Sequence, residues 1–237
     1  MSTFVLVHGA WHGGWCWRKV EARLRAKGHT VFAPDMPGHG GDRFPIAELT
    51  LDHIVARIGQ TIERDDEPVV LVGHSYGGAM ITQAAEAWAD KIARLVYVAA
   101  FLLDNGQTLM DLAREDADSH LNGQVDFLDG ERLAQARDAV LRDCFYGSCS
   151  DEDVAFAKAH LSLEATAGFR TPMRTSAARF GRIPRTYVEC LRDHAISIGL
   201  QRRMQQALPC ERVVSLDTDH SPFFSAPQAL CDALTGD

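Results

Sequence analysis

The feature that most constrains this chain is a short apolar run ending in a turn of small residues. Pro68-Val-Val-Leu-Val72 passes directly into Gly73-His-Ser-Tyr-Gly-Gly78, a G-x-S-x-G string. A β-branched run without polar alternation is the pattern of a strand buried on both faces. Small residues two positions either side of a serine permit a sharp strand-to-helix turn, which pushes the hydroxyl out at the strand's carboxyl end. A helix starting near Tyr76 then aims its free N–H groups and positive dipole end at the space beside Ser75 Oγ. The string alone occurs by chance. Between a strand and a helix it predicts a nucleophile at Ser75 rather than a phosphate-binding or purely structural turn.

The same grammar recurs along the chain. Phe4-Val-Leu-Val7 leads into His8-Gly9, and residues 30–33 lead into Pro34-Asp35. Residues 93–100, 185–190 and 212–216 read as further strands. Between them the period changes: Leu51, Ile54, Val55, Ile58 and Ile62 share one helical face, as do Val20 and Leu24 ahead of a capping Gly28. Strand–helix–strand order implies right-handed crossovers and a doubly wound, mostly parallel α/β sheet of about six strands. Residues 104–182 break the rhythm, with helices expected over 130–144 and over 151–163 and at most a short hairpin arm at 124–128. About eighty residues are too many for ordinary α/β loops, which run ~2–6 residues. A helical cap inserted into a core of residues 1–103 and 183–237 is therefore expected, within one domain.

Charge narrows the function classes. Twenty-four basic residues against 32 acidic give −8, which argues against nucleic acid or an anionic membrane as partner. The longest apolar run, residues 95–103, is too short to span a bilayer. The first residues carry neither a basic region nor a long apolar stretch, so a soluble, cytoplasmic protein is expected. The six cysteines at 16, 144, 149, 190, 210 and 231 are expected as free thiols, mostly in the core. Cys144 and Cys149 lack a second pair at ligand spacing, so no zinc site is expected there.

A serine hydroxyl requires a base. Of ten histidines only His220, in Asp217-Thr-Asp-His-Ser-Pro222, directly follows the last predicted strand. Orienting its ring requires a carboxylate, and Asp193 lies three residues past the end of the penultimate strand. Glu189 falls inside that strand. Asp217 and Asp219 remain alternatives, although their closeness in sequence makes Nδ1 awkward to reach. The chain order Ser75, Asp193, His220 is the one α/β-hydrolases use. An oxyanion needs two donors: Tyr76 N–H follows from the turn, and the loop His8-Gly-Ala-Trp-His-Gly-Gly-Trp15 offers Ala10 N–H. His8 and His12, with Cys16, could suggest a metal set; loop-bracing histidines fit a Gly-rich loop better, and no metal or cofactor is expected.

These stretches, with Ala33-Pro-Asp-Met-Pro-Gly-His-Gly40, Tyr187-Val-Glu-Cys-Leu-Arg-Asp193 and Asp219-His-Ser-Pro-Phe-Phe-Ser-Ala-Pro227, resemble the α/β-hydrolase superfamily over nearly the whole chain. The resemblance is to the group of plant methylesterases, hydroxynitrile lyases and their bacterial esterase relatives. It implies a triad of Ser75, Asp193 and His220 and oxyanion donors at Ala10 and Tyr76. The lyases of that group carry a threonine and a lysine where this chain has Gly9 and Ser221, so hydrolysis is favoured over cyanohydrin cleavage. A homodimer is compatible with the resemblance, although no segment marks an interface.

Trp11, Phe101, Phe127, Phe145 and Phe223, with Gly9 and Ser221, are the expected pocket residues; Trp17 and Phe224 are expected in the core. Asp35 and His39 are expected as turn formers. No Arg or Lys is visibly placed to clamp an anion. The expected substrate is a small to medium, uncharged, largely apolar ester. A lactone or thioester hydrolase with the same triad, a lyase, and a receptor pocket are the competing readings. A base must be unprotonated to act, so the expected optimum is neutral to mildly alkaline.

Overall fold

Strand β1 (Thr3–Val7) is buried at all five positions, because it lies inside a sheet covered on both faces. The structure, a computed structural model, describes residues 1–236. Helix α1 (Arg18–Ala26) follows, then β2 (Thr30–Phe32), α2 (Leu51–Ile62), β3 (Val69–His74), α3 (Gly77–Trp88) and β4 (Ile92–Val98). Leu51, Ile54, Ile58 and Ile62 of α2 are buried, as their spacing requires. Thr50 caps that helix by accepting the His53 N–H.

The chain then leaves the sheet. It forms α4 (Leu109–Glu115), β5 (Val125–Leu128), β6 (Leu133–Ala136), α5 (Asp138–Phe145), α6 (Asp151–His160), β7 (Glu164–Ala165) and α7 (Ala167–Arg170). It re-enters with β8 (Arg185–Cys190), α8 (Ile198–Ala207) and β9 (Arg212–Leu216), and ends with α9 (Pro222–Ser225) and α10 (Pro227–Thr235). The main sheet has the order β2-β1-β3-β4-β8-β9, and every neighbouring pair is parallel. This is the doubly wound α/β-hydrolase arrangement. The chain winds from β1 outward to β2, then returns to place β3 on the other side of β1. Loops leaving β1 and β3 therefore diverge, and a crevice opens at the carboxyl ends of those two strands.

The insert corrects one expectation. Residues 130–144 are not a continuous helix: β6 occupies 133–136 and pairs antiparallel with both β5 and β7. Leu133-Ala-Gln-Ala136 has helix-forming composition. That preference is overridden because the Asp129-Gly130 turn, with positive φ at 129, 130 and 131, folds the segment back on β5. The helix expected over 151–163 is present as α6, capped by Ser150 Oγ accepting the Asp153 N–H and ending at His160.

Where β4 hands over to the insert, Tyr187 of β8 fixes the chain. Its buried hydroxyl donates to the Ala100 carbonyl at 2.6 Å and accepts from the Ala100 N–H at 3.1 Å. Tyr187→Phe leaves both buried backbone groups without this partner. The expected loss is about 1–3 kcal/mol of unfolding free energy with an unchanged denaturant slope, read by urea titration.

Candidate active site

The turn after β3 is forced by its neighbours. Ser75 adopts φ +55°, and its N–H donates to Val98 O at 3.3 Å while its carbonyl accepts from Phe101 N at 3.1 Å. A Cβ on Gly73 would lie 2.5 Å from the Gly77 carbonyl oxygen, and one on Gly77 would lie 2.8 Å from the carbonyls of Val7 and His8. Both glycines are therefore required by close backbone approach. Ser75 is only partly buried and opens onto a cavity of about 230 Å³.

Behind the turn lie His220 and Asp193. His220 Nδ1 is 2.8 Å from Asp193 Oδ2, and both residues are almost fully buried. The His220 ring centroid is 4.6 Å from that of His74, the residue preceding Ser75, and 5.5 Å from Phe145 on the cavity wall. Asp193 is held on its other sides: Oδ1 accepts the N–H groups of Ala195 and Ile196, and Oδ2 accepts from Gln201 Nε2. The alternative carboxylates point elsewhere. Asp219 accepts from Ser148 N, Ser221 N and Ser225 Oγ. Asp217 is exposed and pairs with Arg192, and Glu189 pairs with Arg202 and Ser215.

Of the expected pocket residues, Trp11, Phe101, Phe127 and Phe145 line the cavity with Ser75, and so do Ala10 and Tyr76, the residues expected to supply the oxyanion donors. Gly9, Ser221 and Phe223 do not. A Cβ on Gly9 would sit 2.8 Å from Ser75 Cβ, so Gly9 is packed against the serine's backbone side. Ser221 and Phe223 are fully buried, and Phe223 packs edge-on against His74 and Trp17. The short helix α9 turns these side chains inward, which the sequence pattern of a loop after a strand did not reveal. Arg114 was not anticipated: it lines the cavity, with its side chain 72% exposed.

A model described as the alpha/beta hydrolase family matches residues 4–233. The chain belongs to the α/β-hydrolase family. Within it, the chain is 32% identical over 99% of its length to a pyrethroid hydrolase of Sphingobium wenxiniae, covering 86% of that protein. It is 32% identical over 98% of its length to methylesterase 7 of Arabidopsis thaliana, covering 95% of it. The crystal structure of an Arabidopsis methylesterase matches with TM-score 0.88 at 25% identity, covering 100% of this chain and 98% of the other. The chain spans 54%, 55% and 62% of the length of three chloroplastic Arabidopsis relatives it also matches. Among the described residues of this α/β-hydrolase, no helix is long and apolar enough to cross a membrane.

The first loop of this family member is clamped from the insert. Glu164, fully buried on β7, accepts the Trp11 N–H at 3.2 Å and pairs with His39 Nε2 at 3.0 Å. Trp11 itself is at φ +63°, and its indole donates to Ala134 O. His12 Nδ1 meets Ala10 O and its Nε2 meets Tyr146 Oη; His8 accepts from Met36 N through Nε2. His8 and His12 thus brace the loop. Asp35 holds the neighbouring Gly14 and Gly41 N–H groups, and His39, whose N–H closes a turn on the Met36 carbonyl at 3.0 Å, also pairs with buried Glu164. Glu164 and Gln201 were invisible to sequence reasoning, because each lies in a segment with no motif. A buried carboxylate is recognised only once its donors are placed around it.

Burial holds His8 and His74 well below the usual histidine value and His12 down to about 4, with neighbouring imidazoles adding repulsion. These three are neutral in the folded chain, whereas unfolding frees them to protonate below about pH 6.5. The unfolded state then binds more protons, so their stabilisation is complete above that pH and lost as pH falls. His39 runs the other way: burial lowers it, but the Glu164 charge and hydrogen bond outweigh that and raise it. Its contribution is present below about pH 6.5 and lost as pH rises through the raised value. Three against one leaves a net loss of stability as pH falls from about 7.5 to 5.5, either side of the ordinary histidine value. Urea unfolding at the two pH values measures it; a flat profile would show that these imidazoles are not kept neutral by folding.

Proposed function

We propose that this chain is a cofactor-free serine carboxylesterase acting on small to medium, uncharged, largely apolar esters. The observation that carries the reading is the placement of Ser75 on the wall of an apolar cavity, with the Asp193–His220 pair packed behind its turn. Asp193 engages Nδ1, which fixes the ring tautomer and leaves Nε2 for the serine proton. Ser75 Oγ attacks the ester carbonyl carbon as His220 takes its proton. The carbonyl oxygen becomes an oxyanion held by backbone N–H groups. Tyr76, directly after the nucleophile, supplies one. Of the two first-loop residues on the cavity wall, Trp11 has its N–H committed to Glu164, which leaves Ala10 for the other.

Collapse of the tetrahedral species breaks the ester C–O bond, and His220 returns its proton to the departing alcohol. Water, deprotonated by His220, then attacks the acyl-enzyme, releases the acid and restores Ser75. Trp11, Phe101, Phe145 and Phe169 give the cavity an apolar wall, while Arg114 is largely solvent-exposed. Its volume, about 230 Å³, lies just below the ~300–1,000 Å³ usual for small-molecule sites, which favours compact acyl or alcohol groups.

Two variants test the reading with a chromogenic short-chain ester and a fluorophosphonate probe. Ser75→Ala should abolish both turnover and labelling while far-UV circular dichroism stays unchanged. Asp193→Asn should lower kcat by about 10⁴-fold, because the amide no longer stabilises the needed tautomer or the imidazolium. Wild-type turnover persisting in Ser75→Ala would remove the serine from the chemistry.

A further inference from the structure

A second cluster lies on the surface, one residue beyond Asp193. His120 Nδ1 is 2.6 Å from Asp143 Oδ2, and His194 Nδ1 is 3.1 Å from Asp143 Oδ1. The two imidazole centroids are 4.2 Å apart, with ring planes inclined by 34°. One carboxylate thus sits between two imidazoles drawn from three distant stretches. Their side chains are 49%, 55% and 43% exposed for His120, Asp143 and His194 respectively, so solvent ions reach them. We propose that His120, Asp143 and His194 bind one divalent transition-metal ion of the zinc class, which pins the insert to the loop carrying Asp193.

Geometry supports the ion. One ligand atom from each residue can be chosen so that all three lie within 4.8 Å of one another. Zinc–nitrogen and zinc–oxygen bonds of about 2.0–2.2 Å in a tetrahedron place ligand atoms about 3.3–3.6 Å apart. The 2.6 and 3.1 Å contacts run to different Asp143 oxygens, so one oxygen ligates the ion and the exposed side chains close from within the 4.8 Å spread of the ligand atoms. A ring that binds through Nδ1 gives up the Nδ1 proton it now donates to Asp143 and carries its proton on Nε2 instead, so binding requires no further reactant. Two imidazoles and one carboxylate form a mixed N,N,O set, which selects zinc, nickel or copper over the all-oxygen preference of magnesium and calcium. Three protein ligands leave a coordination position for water.

The backbones bearing these ligands are fixed by hydrogen bonds that do not use the ligand side chains. The His120 N–H donates to the His194 carbonyl at 2.9 Å, and Ser119 Oγ donates to the Ala195 carbonyl at 2.7 Å. Asp143 lies in the last turn of α5, beside buried Cys144 and Phe145. Pre-set ligands lose little freedom on binding, which is the condition for a usable site. Charge points the same way. Among the described residues, the ion-pair partners of Asp143 are these two histidines, and neighbouring Arg142 is engaged with Asp151. His120 and Asp143 belong to the insert, whereas His194 adjoins Asp193. A bound ion would therefore join the insert to the loop whose Ala195 and Ile196 N–H groups orient that carboxylate.

The experiment is calorimetric titration of the full chain with zinc chloride at near-neutral pH, with magnesium chloride as control, and cobalt chloride for visible absorption. Expected are saturation at one zinc per chain, no magnesium binding, and visible cobalt bands of a four-coordinate site. Loss of a single outer-shell partner already weakens metal sites by about 10–100-fold, so loss of direct ligands in H120N/H194N should cost at least that and erase the cobalt bands. Asp143→Asn, which keeps the side chain's shape, is the second variant and should weaken zinc similarly. Absence of saturable zinc binding overturns the proposal, as does binding that both variants leave unchanged. None of these readouts involves substrate, so they do not depend on the esterase reading.

Discussion

Ser75 holds a left-handed backbone conformation that costs a non-glycine residue about 1–3 kcal/mol, and the rest of the site is arranged around keeping it there. The cost is borne because neighbouring strands hold the turn's backbone on the side away from the cavity. β4 accepts its N–H through Val98, the chain after β4 donates to its carbonyl through Phe101, and β1 presses its carbonyls against Gly77. None of these contacts is available to an isolated strand–turn–helix segment. The strain is supported by the parallel sheet, and by β1 and β3 being adjacent in it. That adjacency also makes the crevice, because the chain winds away from β1 in both directions.

The insert does more than cover this crevice. Through Glu164 it enters the wiring of the first loop, fixing Trp11 by its N–H and His39 by an ion pair, while Ala134 holds the Trp11 indole. Ser162 N–H closes on the Trp11 carbonyl at 2.9 Å. Trp11 is thus held at positive φ by donors and acceptors that all belong to the insert. The loop that flanks the serine and the segment that walls the cavity form one mechanical unit. A change in the three-stranded antiparallel sheet of the insert would reach the serine through that unit.

The polar chemistry of the core is equally interlocked. His74 donates through Nε2 to the His220 carbonyl at 2.7 Å, so the residue before the serine supports the backbone of the imidazole behind it. Four imidazoles, His8, His12, His74 and His220, lie buried, and burial, with repulsion from neighbouring imidazoles added, lowers the first three. Carboxylates in such packing need full sets of donors, and Asp193 has two backbone N–H groups, Gln201 and the His220 ring.

Much of this was legible in the chain itself. Short apolar runs placed β1, β2, β8 and β9 within one residue and β3 and β4 within two, and their order with the helices implied the parallel sheet. The small residues around Ser75, and the positions of Asp193 and His220 after successive strands, were local signals of a local constraint. Other features had no local signal. Leu133-Ala-Gln-Ala136 favours a helix by composition, and only partners on both sides make it a strand. Phe223 and Ser221 face inward because α9 turns them there, Arg114 reaches the cavity from a separate helix, and Glu164 becomes structural only when three donors converge on it. His120, Asp143 and His194 are meaningless apart. What sequence determines is what short-range sterics and hydrophobic period dictate; which side chains meet across the fold is decided by packing, because those contacts join residues that no local rule relates.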